Sequence, residues 1–185
     1  MDAMWKSGET DGFHITNWAM HPVTMVNWND AKAFCQWLTE QERAEGLLAT
    51  NQTYRLPTNE EWSKAMGLPD DVATKNIYPW GKSWPPPPAF GNYADSTLTN
   101  YSPNLDFIEG YDDGFATTSP VGSFKANVNG LFDMSGNVWQ WCEDEYVNLI
   151  PGRVLRGGAW NTNDRESLAG AYRGSFLPNS RNTVS

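Results

Sequence analysis

Residues Leu131 to Trp141, LFDMSGNVWQW, place one carboxylate, Asp133, three positions before Gly136 and then set Gln140 between Trp139 and Trp141. An acid, a flexible turn and alternating indoles in so few residues are more than a core strand needs. Other acids come together at Glu60-Glu61, Asp112-Asp113 and Glu143-Asp144-Glu145. Sequence neighbours point apart, so none of these makes the spaced acid–base pair of a glycosidase. At Glu60 and Glu61 the simpler role is negative charge at a helix N-terminus. There is no Gly-x-Ser-x-Gly elbow, P-loop or His-Glu-x-x-His. Two histidines, His14 and His21, and two cysteines, Cys35 and Cys142, are too few for a disulfide framework or a thiolate cluster. Whether the two cysteines pair is left open. Oxygen chemistry remains. Hard cations take six to eight oxygens and mix carboxylates with backbone carbonyls, which irregular loops supply. The net charge of −9 is compatible with that and argues against nucleic acid or an anionic membrane as partner.

The elements that must position these groups are few. The 185 residues suit one domain or a domain and a half, without internal repeats. Asn27 and Asp30 predict a capping box, followed by a helix to about Ala44 that stops near Gly46 and sets Trp28, Ala31, Phe34 or Cys35, and Leu38 on one face. Thr58 with Glu61 predicts a second, with Trp62, Ala65 and Met66 buried and Gly67 and Pro69 as its stop. Residues 69–130 are dense in Pro, Gly, Asn and Asp and carry no helix signal; YPWGKSWPPPPAFGNYAD cannot be helical. That much irregular chain needs ties, and ten tryptophans and bound cations are the expected ones. Short strands are expected at 131–133, 137–142 and 153–156. Over 137–142, Val138, Gln140 and Cys142 would face one way and Trp139 and Trp141 the other. The class is α+β, with low regular structure: two main helices, short antiparallel strands and long loops. No apolar run is long enough to span a membrane and no signal peptide is visible in this chain, so the compartment stays open.

Six blocks occur in one order: HPVTMVNWNDAKAFCQWL (21–38), YRLPTNEEWSKAM (54–66), YPWG (78–81), GNYAD (91–95), GLFDMSGNVWQWCED (130–144) and RVLRGGAW (153–160). Together they closely resemble the formylglycine-generating enzyme and sulfatase-modifying factor family over roughly residues 20–185. The resemblance implies a variant of the C-type lectin fold. It divides the chain into a weakly patterned lead-in, 1–20, and the domain itself, 21–185. Members usually finish with a Gly-Phe-Arg strand, so the domain is expected to be truncated before its last strand. The cysteine matching Cys35 commonly pairs beyond that point, which implies a free buried thiol here.

The same resemblance bears on chemistry. Family enzymes that make formylglycine bind copper(I) with two cysteines just after the Arg-Gly-Gly block. The matching segment, GGAWNTNDRESLAGAYRG, has none. A branch that makes carbon–sulfur bonds holds iron with three histidines on a separate domain, and His14 and His21 cannot complete such a site. His21 is expected to make a structural hydrogen bond. Neither copper nor iron is expected. Calcium is, as one or two ions. By motif match the first would use the side chains of Asn92 and Asp113 with the carbonyls of Tyr93 and Phe115. The second would use Asp133, the carbonyls of Gly136 and Val138, and the side chain of Gln140. Position 140 is usually Glu in the family, so this site loses a negative charge. With no Glu-Pro-Asn or Gln-Pro-Asp triplet, calcium-bridged sugar binding is unsupported.

In the family the segment after Gly158 lines the exposed binding face. Here it offers Trp160, Asn161, Asn163, Arg165, Tyr172, Arg173, Phe176, Asn179 and Arg181, types favoured in adaptable binding surfaces. Trp160 is expected in the core, Arg173 and Arg181 in ion pairs, and Asn161, Asn163, Arg165 and Phe176 exposed. The expected function is a non-catalytic module that binds a protein or small-molecule ligand on a calcium-stabilised scaffold. It would serve as a sensor domain of a bacterial signalling protein or as a retroelement-diversified variable receptor. The alternative is a metal-dependent oxidoreductase completed by a partner domain.

Overall fold

Two capping boxes start the two main helices. Asn27 accepts the Asp30 amide and the Asp30 carboxylate accepts the Asn27 amide, both at 2.9 Å. This satisfies amides that a helix start otherwise leaves orphaned. From there α1 runs Trp28–Ala44 and is capped by Glu45, with Gly46 left-handed at φ 74°. α2, Asn59–Met66, opens in the same way on Thr58 and Glu61 and closes on Gly67, left-handed at φ 81°. The computed structural model describes residues 9–10, 13–14, 18–68, 76–101, 103–146 and 151–182. Most of the lead-in over residues 1–20, the Pro69 stop and Ser185 lie outside them.

α1 meets the body along one row of residues. The Trp28 indole donates to the Cys142 carbonyl at 3.0 Å, Lys32 pairs with Glu143 at 2.7 Å, and the Thr39 hydroxyl accepts the Tyr54 amide at 2.9 Å. Cys35 lies on this row, half-buried. Of the two alternatives expected on this face, Cys35 is turned inward and Phe34 outward, and Trp28, Ala31 and Leu38 are half-buried. Phe34 is 58% and Trp37 53% exposed, because polar anchors to Cys142, Glu143 and Tyr54 set the helix rotation.

Three strands form an antiparallel sheet in the order β3-β4-β5: β3 Gln140–Tyr146, β4 Gly152–Arg156 and β5 Gly174–Phe176. Trp141 pairs with Leu155 and Val154 with Ser175, and the β3–β4 register shifts between Trp141 and Glu145. A small hairpin pairs β1, Glu9–Thr10, with β2, Phe13–His14. The strand expected at 131–133 does not form, since Asp133 holds a left-handed φ of 52°. The one expected at 137–142 begins only at Gln140, because Asn137 is also left-handed, at φ 63°. A single helical turn, α3 at Leu98–Tyr101, interrupts the stretch expected to be helix-free.

Aromatic rings hold the irregular chain. Tyr78, Tyr93, Ile108, Tyr111, Leu168 and Ala169 form one buried cluster, with Trp80, Trp84 and Phe90 packed on it. Each buried ring removes roughly 150–250 Å² from water, worth several kcal/mol at about 25 cal/mol per Å². A second cluster joins α2 to the sheet through Trp62, Met66, Cys142 and Val154. Gln140 and Cys142 face α2, as the alternation predicts, while the Trp141 indole turns to the Val26 carbonyl at 3.2 Å. Among the described residues no helix is long and apolar enough to cross a membrane.

Candidate cation loops and binding face

The first loop is assembled by backbone amides closing onto two carboxylates. Asp113 accepts the Tyr93 amide at 2.8 Å and the Phe115 amide at 3.0 Å. Asn92, Tyr93, Asp113 and Phe115, expected together from the sequence, are thereby brought together. The Asn92 amide group donates to the Thr117 carbonyl at 2.8 Å, while its Oδ1 is buried without a hydrogen-bond partner. An unsatisfied buried acceptor costs about 1–3 kcal/mol. Burial, reinforced by the Asp95 charge against the Tyr93 amide, pushes the Asp113 carboxyl up to about 7. A buried oxygen lacking a donor beside a carboxylate held in a costly ionised state is the donor set a hard cation relieves. These residues fit calcium.

Sequence reasoning missed Asp95. It is fully buried, and its carboxylate accepts the Thr97 amide at 2.8 Å and hydroxyl at 2.5 Å, the Asp113 amide at 2.6 Å and the Gly114 amide at 3.3 Å. It therefore sets the backbone that carries Asp113. Its place at the end of GNYAD was the available signal.

The second loop is closed differently. The Asp133 carboxylate accepts the Gly122 amide at 2.7 Å. Gln140 Nε2 donates to the Asp133 carbonyl at 2.6 Å, and Gln140 Oε1 accepts the Trp62 indole at 2.8 Å. The indole can only donate and the carbonyl only accept, so the partners fix which end of the amide is which. Asp133 and Gln140 are brought together, but through the amide nitrogen; the oxygen expected to serve as a ligand is turned onto Trp62. Val138 is half-buried, and the Gly136 amide donates to the Gly157 carbonyl at 2.9 Å. Set this way, the Gln140 side chain offers the loop a donor and not a ligand oxygen.

The expected binding face divides into three. Trp160 is buried at 5% exposure with Ala94 and Leu98, and is core, as expected. Beyond it Asn161 is exposed, Asn163 is half-buried, and exposed Arg165 lies over the Trp84 ring at 5.2 Å. A second group holds Tyr172 against Trp139 at 6.0 Å and exposed Phe176 on β5. There Arg173 Nε donates to Asn59 Oδ1 at 3.0 Å, so its contact is with an amide and not the ion pair expected. The third group is latched to the start of α1: Asn179 accepts from Asn29 at 2.6 Å and Arg181 pairs with Asp30 at 2.8 Å. Elsewhere, His21 Nδ1 meets the Thr118 hydroxyl at 3.0 Å, the structural bond expected. Both cysteines are free; burial pushes the Cys142 thiol up to about 12 and raises that of Cys35.

Residues 1–184 match the sulfatase-modifying factor enzyme 1-like domain. The formylglycine-generating enzyme of Thermomonospora curvata is 36% identical over 77% of this chain and 39% of its own length. The inactive C-alpha-formylglycine-generating enzyme 2 of Bos taurus is 35% identical over 85% of this chain and 44% of its own. This chain thus spans less than half the length of either relative. Among solved structures, Treponema denticola variable protein 1 superposes with a TM-score of 0.63 at 22% identity, covering 96% of this chain and 71% of that one. The likeness shows a shared α+β fold with little regular structure. On the domain match and these relatives together, the chain belongs to the sulfatase-modifying factor enzyme 1-like family.

Proposed function

We propose that this domain is a non-catalytic binding module, with calcium held by the first loop, that presents Asn161, Asn163, Arg165, Tyr172, Arg173 and Phe176 to a protein or small-molecule ligand. One observation carries the reading. The segment 159–176 is rooted on the core through Trp160 and Leu168 and contains neither thiol nor imidazole. The two thiols of the chain lie elsewhere, on α1 and inside β3, and both are held toward the protonated form. A soft metal or a redox thiolate has nothing to grip there. The relatives include one named as a formylglycine-generating enzyme and one named as inactive, at similar identity, so the residues decide between them. Calcium fits the same picture through the orphaned Asn92 Oδ1 and the costly charge on Asp113. Bound there, it would fix the loop under Trp160 and supply no redox chemistry.

Metal analysis by mass spectrometry, on protein purified without chelator, tests this directly. Calcium alone is the expected result, together with a melting temperature that falls in EDTA, because a ligand of the native state raises it. Copper or iron near one equivalent would overturn the reading in favour of an oxidoreductase. An EDTA-insensitive, calcium-free protein would remove the first-loop assignment.

A further inference from the structure

We infer that the Gln140 amide closes the Asp133–Gln140 loop in the place a cation would take, so that of the two candidate loops only the first is a cation site. That the first loop binds calcium rests on the reading above; the state of the second loop stands on its own residues.

Three oxygens of the Asp133–Gln140 loop are engaged by protein donors. The Asp133 carboxylate holds the Gly122 amide at 2.7 Å, the Asp133 carbonyl holds Gln140 Nε2 at 2.6 Å, and Gln140 Oε1 holds the Trp62 indole at 2.8 Å. The first loop contrasts with this at one atom, Asn92 Oδ1, which is buried with no partner. A structural cation draws together oxygens that otherwise repel. In the second loop a neutral N–H does this across seven residues. Trp62, 3% exposed, grips the other end, so the amide cannot turn its oxygen inward without stranding a buried indole N–H. Gly157, left-handed at φ 96°, leaves the amide room; a Cβ there would stand 3.3 Å from Gln140 Nε2.

The test exchanges that one group. In Gln140→Glu an acceptor replaces the donor facing the Asp133 carbonyl, and two acceptors at that distance need a proton or a cation between them. Isothermal titration of calcium into chelator-stripped protein, with thermal melts, is run on four proteins: wild type, Asp133→Asn, Asp113→Asn, and Asp113→Asn with Gln140→Glu. Wild type is expected to take up roughly one equivalent, and Asp133→Asn to leave that uptake and its thermal shift unchanged. Gln140→Glu on the Asp113→Asn background is expected to melt several degrees lower than that background without calcium and to regain the loss with it.

A second equivalent in wild type that Asp133→Asn abolishes would overturn the inference. So would a folded Gln140→Glu protein whose melting ignores calcium. If that variant does not fold, the Asp133→Asn comparison decides: unchanged uptake supports the inference and lost uptake overturns it. Failure of the first-loop reading looks different: wild type takes up no calcium, while Gln140→Glu still gains a response that supports the closed second loop.

Discussion

The backbone amide of Asn137 donates to the carbonyl of Asn92 at 2.8 Å. Asn92 belongs to the first loop, and Asn137 sits between Gly136 and Val138 of the second. The Asn137 carbonyl in turn accepts the Trp160 amide at 2.9 Å, and the Ala94 amide reaches the Thr162 carbonyl at 3.2 Å. Both loops and the root of the binding face therefore share one short run of backbone bonds, which is how a chain with so little sheet holds a surface in place.

That approach leaves no room for a side chain at Gly136. A Cβ there would stand 2.3 Å from the Asn92 carbonyl oxygen, at a φ of 80° that L-residues resist. Gly136→Ala is expected to cost on the order of 3 kcal/mol or more, combining backbone strain with overpacking. Gly46→Ala is the control. Its φ is 74° but nothing lies within 4 Å of the added carbon, so only the strain remains, about 1 kcal/mol. Urea denaturation of the pair reads the difference; equal losses would mean that the two loops do not approach so closely.

Asp95 is expected to matter as much as the proposed ligand it positions. Asp95→Asn puts an NH₂ among groups that all donate: the Thr97 amide and hydroxyl and the amides of Asp113 and Gly114. The loss of accepting capacity in a fully buried site should cost about 1–3 kcal/mol. Calcium uptake should weaken with it, since the Asp113 backbone is no longer held. Denaturation and calorimetry on the same variant check both effects. A destabilised protein with unchanged calcium affinity would show that Asp95 supports the fold and not the site.

The acid limb of stability should report Glu61. Its bonds to Arg55, first, and then to the Thr58 amide hold its carboxyl down at about 2, against an ordinary value of 4.5. Because the folded value is the lower one, the contribution is present above the unfolded value and is lost as pH falls from about 4.5 through about 2. Melting temperature followed over that range should fall more steeply in wild type than in Glu61→Gln. The difference should shrink in salt, because the pair is solvent-exposed. Parallel curves would remove this carboxylate from the acid transition.

What could be read from the sequence follows the range of the interactions involved. Both capping boxes close over three residues, so Asn27-Asp30 and Thr58-Glu61 announce their helices directly. The facing of Gln140 and Cys142 against Trp141 was equally legible, because strand alternation is local. The row α1 buries was legible only up to a choice between Phe34 and Cys35, which Lys32 finding Glu143 and Thr39 finding Tyr54 decides for Cys35. β5 escaped notice because three residues containing a glycine carry no period; they become a strand only against β4. The Gln140 amide shows the limit most sharply. Its residue type predicted a weaker ligand, but whether it turns an oxygen or a nitrogen to the loop is set by Trp62, seventy-eight positions away.

Arg156 carries the last prediction. Its guanidinium is fully buried, lies 4.3 Å over the Trp62 ring, and donates to the Tyr172 carbonyl at 2.5 Å, the Gly170 carbonyl at 2.7 Å and the Ser63 hydroxyl at 3.2 Å. Burial, with the nearby Arg173 charge, draws it down to about 10, so it stays charged at neutral pH with carbonyls and a ring face around it. A planar fork can serve three acceptors at once; a lysine ammonium on a flexible stem cannot reach the same set. Arg156→Lys is therefore expected to cost about 2–3 kcal/mol, and Arg156→Ala about 3–5 kcal/mol, because it also opens a cavity beneath Trp62. Near-ultraviolet circular dichroism should lose part of its tryptophan signal in both variants. Since this one side chain grips the carbonyls of both Gly170 and Tyr172, protection from hydrogen exchange should fall across residues 168–174 before it falls in α1. Uniform loss of protection would show that Arg156 stabilises the whole domain and does not locally fasten the segment that carries the binding face.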